Sequence, residues 1–133
     1  MNKLNVLNNL LVNIKNGYSN KSKYVYCKLN FFCINVLWTL YKEELIYDFY
    51  IDKANSKIQI KLKYFKDKPI FGNVNLISKP SLTVFSNFNN LKKFSKNYDY
   101  FFISTSNGVI SSSHANKNLN VGGIVLFGLK LNI

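Results

Sequence analysis

57-KIQIKLKYF-65 alternates at every step: Ile58, Ile60, Leu62 and Tyr64 fall on one side, Gln59, Lys61 and Lys63 on the other. A period of two predicts a β-strand, and its apolar and basic sides predict a sheet with one packed face and one wet face. Turn-forming stretches bound it, 52-DKANS-56 before and 66-KDKP-69 after. Beyond them, 46-IYDFYI-51 and 70-IFGNVNLIS-78 carry further strand patterns, so the region reads as a meander. Two helical segments lie upstream. Leu4, Leu7, Leu10, Leu11 and Ile14 recur at helical spacing over 4–16, with Gly17 as the expected C′ stop. Residues 30–43 form a second predicted helix with Phe31, Ile34, Leu37, Trp38 and Tyr41 on one side. Between the two helices, 24-YVYCKL-29 reads as a short strand.

The pattern restarts after 79-KPS-81, where Pro80 interrupts pairing. A strand at 82-LTVF-85 leads through the polar turn 86-SNFNN-90 to a short basic helix, 91-LKKFSKN-97. The strand 100-YFFIS-104, a second helix from Ser111 to Lys117, the turn at Gly122-Gly123 and the strand 124-IVLFGLKL-131 follow. The expected fold class is α/β of the α+β kind, in two small modules. The first is αβαβββ over 1–78; the second is βαβαβ over 79–133, with a mixed or antiparallel sheet. In a chain of 133 residues each module would be marginal alone.

Charge narrows the partner. The chain carries 18 basic residues against six acidic ones, a formal net charge of +12, and every basic residue is Lys. Such an excess calls for a polyanion, most often nucleic acid and less often an anionic membrane. Lysine is a point charge without the bidentate fork of Arg, so specificity must come from other side chains. Phe, Tyr, Met, Ile, Asn and Lys make up 72 of the 133 residues and Gly, Ala, Arg and Pro only 10, which implies an AT-rich coding sequence, of an organellar genome or of a nucleus with extreme base bias. The abundant Tyr and Phe read accordingly as core and codon bias. The longest apolar run, 29-LNFFCINVLWTLY-41, falls short of the roughly 18 residues of a membrane span, so no membrane partner is expected. The amphipathic pattern begins almost at the first Met and lacks Arg, so no cleavable targeting segment is expected either. Cys27 and Cys33 have no second pair, and His114 is the one His; they read as reduced structural thiols, with no metal and no cofactor.

Enzyme chemistry finds little material. No acid or Cys lies near His114, the six acids form no evident pair, and no nucleophile elbow or phosphate loop is present. No small-molecule substrate is expected. Binding chemistry fares better. In 101-FFISTSNGVISSS-113 an apolar strand gives way to the neutral block Ser104-Thr105-Ser106-Asn107-Gly108. Hydroxyls and backbone amides in a tight loop can bond base edges, 2′-OH groups and phosphates of an A-form minor groove. The residues alone leave open a plainer reading, a turn between a strand and a helix with Ser or Thr as N-cap.

Five segments, in order, resemble small-subunit ribosomal protein eight, the uS-eight family of bacterial and organellar type. They are 14-IKNG-17, 62-LKY-64, 78-SKPSL-82, 104-STSNGVIS-111 and 122-GGIVL-126, with Ala115 between the last two. The resemblance covers nearly the whole chain. It implies a structural constituent of the small ribosomal subunit that binds a helix of the central domain of small-subunit rRNA and supports assembly and translation. By matching position it assigns RNA contact to Ser104, Thr105, Ser106, Asn107, Gly108, Gly122 and Gly123, and more weakly to Lys79 and Phe85. Lys15 and Asn16, within the first matched segment, and Lys21 and Lys23 in the loop after it, join the candidate set. Neighbouring small-subunit ribosomal proteins are the other implied partners, with no homo-oligomer. With the codon bias it implies an organelle-encoded protein of the mitochondrial matrix, in the mitoribosome small subunit, rather than of a plastid. The chain departs from the family pattern at Ser81, Thr83 and Ile124, the last standing where a Glu usually follows the glycine pair. Two rivals remain at this level: a free RNA-binding translational regulator acting on mRNA, and a basic DNA-binding protein.

Overall fold

The computed structural model describes residues 3–79, 83–86, 96–105, 108–112 and 123–132. Its elements divide between two compact units, Met1–Ile70 with Asn132–Ile133, and Phe71–Leu131. The class is α+β: among the described residues, two helices and antiparallel sheets.

In the first unit, α1 (Lys3–Ser19) buries Leu7, Leu10, Leu11, Ile14 and Tyr18 along one stripe. It does not stop at Gly17. The helix ends two residues later in a Schellman pattern, with Ser22 N–H on the Gly17 carbonyl at 2.8 Å and Lys21 N–H on the Tyr18 carbonyl at 3.1 Å. Lys21 takes the left-handed position, φ 55°, that glycine usually fills. Gly17 has another task. A Cβ there would stand 2.2 Å from Val25 Cγ1, so its bare backbone is what lets α1 lie against β1 (Tyr24–Lys28). The second helix, α2 (Phe31–Lys42), opens on Asn30, whose side chain accepts from Phe32 N–H at 2.8 Å. Its packed side is Cys33, Val36, Leu37 and Leu40 rather than the expected row through Trp38 and Tyr41, while Phe31, Trp38 and Tyr41 are exposed. The helix is apolar nearly all round, so periodicity alone does not choose its buried stripe. Trp38 and Tyr41 instead pack with each other and with Phe49.

Strands β2 (Asp48–Asp52) and β3 (Lys57–Lys61) complete a three-stranded sheet in the order β1-β3-β2. Ile58 and Ile60 are fully buried and Leu62 nearly so, as the alternation requires. The ladder ends at Lys61, and the expected long strand breaks into a hairpin of β4 (Tyr64–Phe65) and β5 (Lys68–Pro69). Lys66 and Asp67 turn it with both φ values positive, the geometry of a tight two-residue hairpin.

The second unit begins earlier than the break expected at 78/79. β6 (Phe71–Leu76), assigned from the sequence to the first module, pairs with β10 (Gly123–Leu131). The reason is β10 itself: it is long and buried along most of its length, so its backbone needs ladder partners on both edges. β6 supplies one edge and β8 (Tyr100–Thr105) the other; β7 (Phe85–Ser86) continues the β6 side, and β9 (Gly108–Ser111) pairs on β8. Phe102 and Phe127 stack at 4.6 Å, and Phe101, Ile103 and Val125 pack with Ile77 and Ile110. The helix expected from Ser111 is displaced at its start, because Ser111 is the last residue of β9. Ser112, the next residue, is helical; residues 113–117, most of 91–97, and the linker residues Pro80 and Ser81 lie outside the described residues.

Candidate RNA interface

In the second unit, Ser104 and Thr105 end β8 and Gly108 begins β9, so the neutral block is the tip of a β-hairpin rather than a strand-to-helix turn. Thr105 Oγ1 donates to the Gly108 carbonyl at 2.8 Å and closes the tip. Gly108 sits at φ +106°, a backbone state that side chains resist, with open space where a Cβ would be. Ser106 and Asn107, between them, lie outside the described residues, as does Gly122.

Gly123 meets the same end of the sheet. A Cβ on it would fall 2.1 Å from the Ser104 carbonyl oxygen, so β10 can reach β8 here only as glycine. Ile124 pairs with Ser104 on one side and Phe85 on the other, which brings the Phe85 backbone to the same end. Lys79 is exposed beside a fastening that sequence reasoning missed. Ser78 is fully buried; its hydroxyl donates to the Val125 carbonyl at 2.5 Å and accepts Val84 N–H at 2.9 Å. It ties the return toward β7 onto the start of β10. The one signal in the sequence is its place in 78-SKPSL-82.

The charge balance of this unit as a whole favours an anion. The second unit holds six lysines and a single acid, Asp99. That acid lies at the far end of β8, accepting Leu131 N–H at 2.8 Å. In the first unit, Lys15, Asn16, Lys21 and Lys23 are all exposed on the end of α1 and the loop that follows. Each group lies on its own unit.

The thiols belong to neither patch. Burial and a hydrogen bond to Cys33 push the Cys27 thiol up, the bond being the larger cause, so it stays protonated.

Comparison with known sequences decides the family. The profile of Ribosomal protein S8 matches residues 5–129. The chain belongs to that family. It is similar to Small ribosomal subunit protein uS8m of Acanthamoeba castellanii, 34% identical over 131 residues, 97% of this chain and 100% of the relative. Small ribosomal subunit protein uS8 of Ehrlichia chaffeensis is 30% identical over 124 residues, covering 91% of this chain and 93% of its own. The Buchnera aphidicola (Schizaphis graminum) protein of the same name is 32% identical over 118 residues, 88% of this chain and 90% of its own. The S8 family is structural and non-enzymatic, made of small-subunit components that bind rRNA and other ribosomal proteins.

Proposed function

We propose that this protein is a permanent constituent of the small ribosomal subunit that grips one helix of the central domain of its rRNA through the β8–β9 hairpin. The observation that carries the reading is the sheet end at which Ser104, Thr105, Gly108 and Gly123 converge, closed by Thr105 and distant from the unit's one carboxylate. A neutral, close-packed hairpin tip can enter a minor groove and bond 2′-OH groups and base edges, while lysines hold the phosphates. Ser106, Asn107 and Gly122 belong to the same contact by sequence, with Lys79 and Phe85 at its margin. Lys15, Asn16, Lys21 and Lys23 form a second, phosphate-directed contact. The uS8m relative supports a mitochondrial place, and the AT-rich residue usage supports encoding by the organelle, in the matrix. The protein acts as a single copy among neighbouring ribosomal proteins.

The test is affinity for a transcript of the cognate rRNA helix across a salt series. Ser106→Ala is expected to lose roughly 1–3 kcal/mol of specific binding with the salt slope unchanged. Equal binding by the variant, or equal binding of duplex DNA, overturns the reading. Sedimentation separates a subunit component, which tracks with small subunits, from a free mRNA regulator.

A further inference from the structure

The sheet of the first unit has a second face that none of the assigned contacts uses. α1 and α2 pack on one side, where Val25, Ile58 and Ile60 are buried. On the other side the register sets Tyr26, Gln59 and Tyr50 in one row across the three strands, and Tyr24, Lys61 and Asp48 in the next. Tyr26 is 50% exposed and Tyr50 67%, and Tyr47, just before β2, is 60% exposed. These tyrosines were read from the sequence as core and codon bias; the structure turns them outward. Lysine ammonium groups lie over the rings: Lys61 is 4.2 Å from the Tyr47 centroid and Lys57 5.2 Å from that of Tyr26. Between Tyr24, Tyr47, Tyr50 and Lys61 the surface dips into a depression of about 220 Å³, larger than the roughly 150 Å³ cavity in which a benzene ring is held.

We infer that this open face binds unpaired RNA, with bases stacked on Tyr24, Tyr26 and Tyr50 and the backbone drawn in by Lys57 and Lys61. Flat rings beside fixed positive charge are what single strands recognise, because every base has a face to stack and every linkage an anion to neutralise. Two acids share this side, Asp48 in the wall of the depression, against the three lysines Lys28, Lys57 and Lys61. Both acids lie on the edge strand and are engaged locally, Asp52 with the Asn55 side chain at 2.8 Å and Asp48 with Phe49 N–H at 2.8 Å. A protein partner would want an apolar centre. Here the centre of the face is Gln59, whose amide donates to the Tyr26 hydroxyl at 3.4 Å. The inference rests on the protein meeting rRNA, but places a third contact, of another RNA class, far in sequence from the hairpin.

The test titrates the full chain against a fluorescein-labelled oligouridylate of about twelve nucleotides, long enough to fill such a platform. Tyr26→Leu/Tyr50→Leu is expected to weaken binding by about tenfold or more, the scale of lost base stacking. Tyr26→Phe/Tyr50→Phe keeps the rings and should bind like the parent. Lys57→Gln/Lys61→Gln should flatten the dependence on salt. Far-UV circular dichroism checks that the variants fold alike. Leu and parent proteins binding equally overturns the inference, as does an equal loss in the Leu and Phe pairs. So does a Leu pair that keeps the oligonucleotide and instead fails to recruit a neighbouring protein to reconstituted subunits, which would give the face to a protein. Failure of the hairpin reading is distinct: Ser106→Ala then leaves the helix transcript bound, whatever the oligouridylate does.

Discussion

β3 and β10 are both central strands, yet they bury their side chains in opposite manners. β3 hides Ile58 and Ile60 and leaves Lys57, Gln59 and Lys61 wholly or partly wet. β10 hides nearly everything from Gly123 to Leu129, with Ile124 half-buried. The first belongs to a sheet covered on one face, the second to a strand flanked by partners and enclosed on both. The difference teaches where each unit can tolerate change. A one-sided sheet leaves its wet face free to evolve a binding surface. A strand enclosed on both faces leaves only its ends, and the hairpin tip with Gly123 is one of those ends.

The widest contrast in stability lies between Phe102 and Tyr50. Phe102→Ala removes a fully buried ring from its stack on Phe127 and is expected to cost about 3–5 kcal/mol. Tyr50→Ala, on the open face, should stay within about 0.5 kcal/mol of the parent. Denaturant unfolding followed by far-UV circular dichroism measures both, and similar losses would break the contrast.

Two glycines sharpen it. Gly123→Ala drives a methyl against the Ser104 backbone carbonyl, which cannot rotate away, and should cost about 2–3 kcal/mol and weaken binding of the rRNA helix. Gly17→Ala meets only the Val25 and Leu62 side chains, and gains about 1 kcal/mol of helix propensity in return. Its net loss should be the smaller of the two, and thermal melting of both variants checks the order.

The smallest effect is confined to alkaline pH. The Tyr18 hydroxyl is buried and donates to the Lys63 carbonyl at 3.0 Å, and burial pushes its ionisation well above the ordinary tyrosine value of 10.0. The unfolded chain therefore ionises first. Stability from this group is whole below pH 10 and declines as pH rises from there toward the folded value, by at most about 1.4 kcal/mol per pH unit. Tyr18→Phe should flatten that decline in unfolding curves taken across the alkaline range; an unchanged slope would show that the hydroxyl is not held as the structure has it.

Much of this was legible in the residues. Alternation in 57–65 yields a one-faced sheet, leucine spacing in 4–16 yields the helix above it, and five ordered segments carry the family. Each is a local pattern, set by the period of the backbone or by the side chains of a short run. What stayed hidden depended on contacts between distant segments. Nothing near Phe71 says that its strand belongs with residues past 123, since pairing is chosen by β10's need for two edges. No local rule turns Tyr26 and Tyr50 into one row, because their register passes through Gln59 on a third strand. Gly17 looked like a helix stop because a glycine's chain neighbours cannot show what presses on it from across the fold. The sequence by itself determined the two helices, most of the strands, the charge and the family; tertiary structure decided where the long strand 57–65 breaks, which strands share a sheet and which side chains face outward, because those are set by long-range pairing and packing rather than by neighbours in the chain.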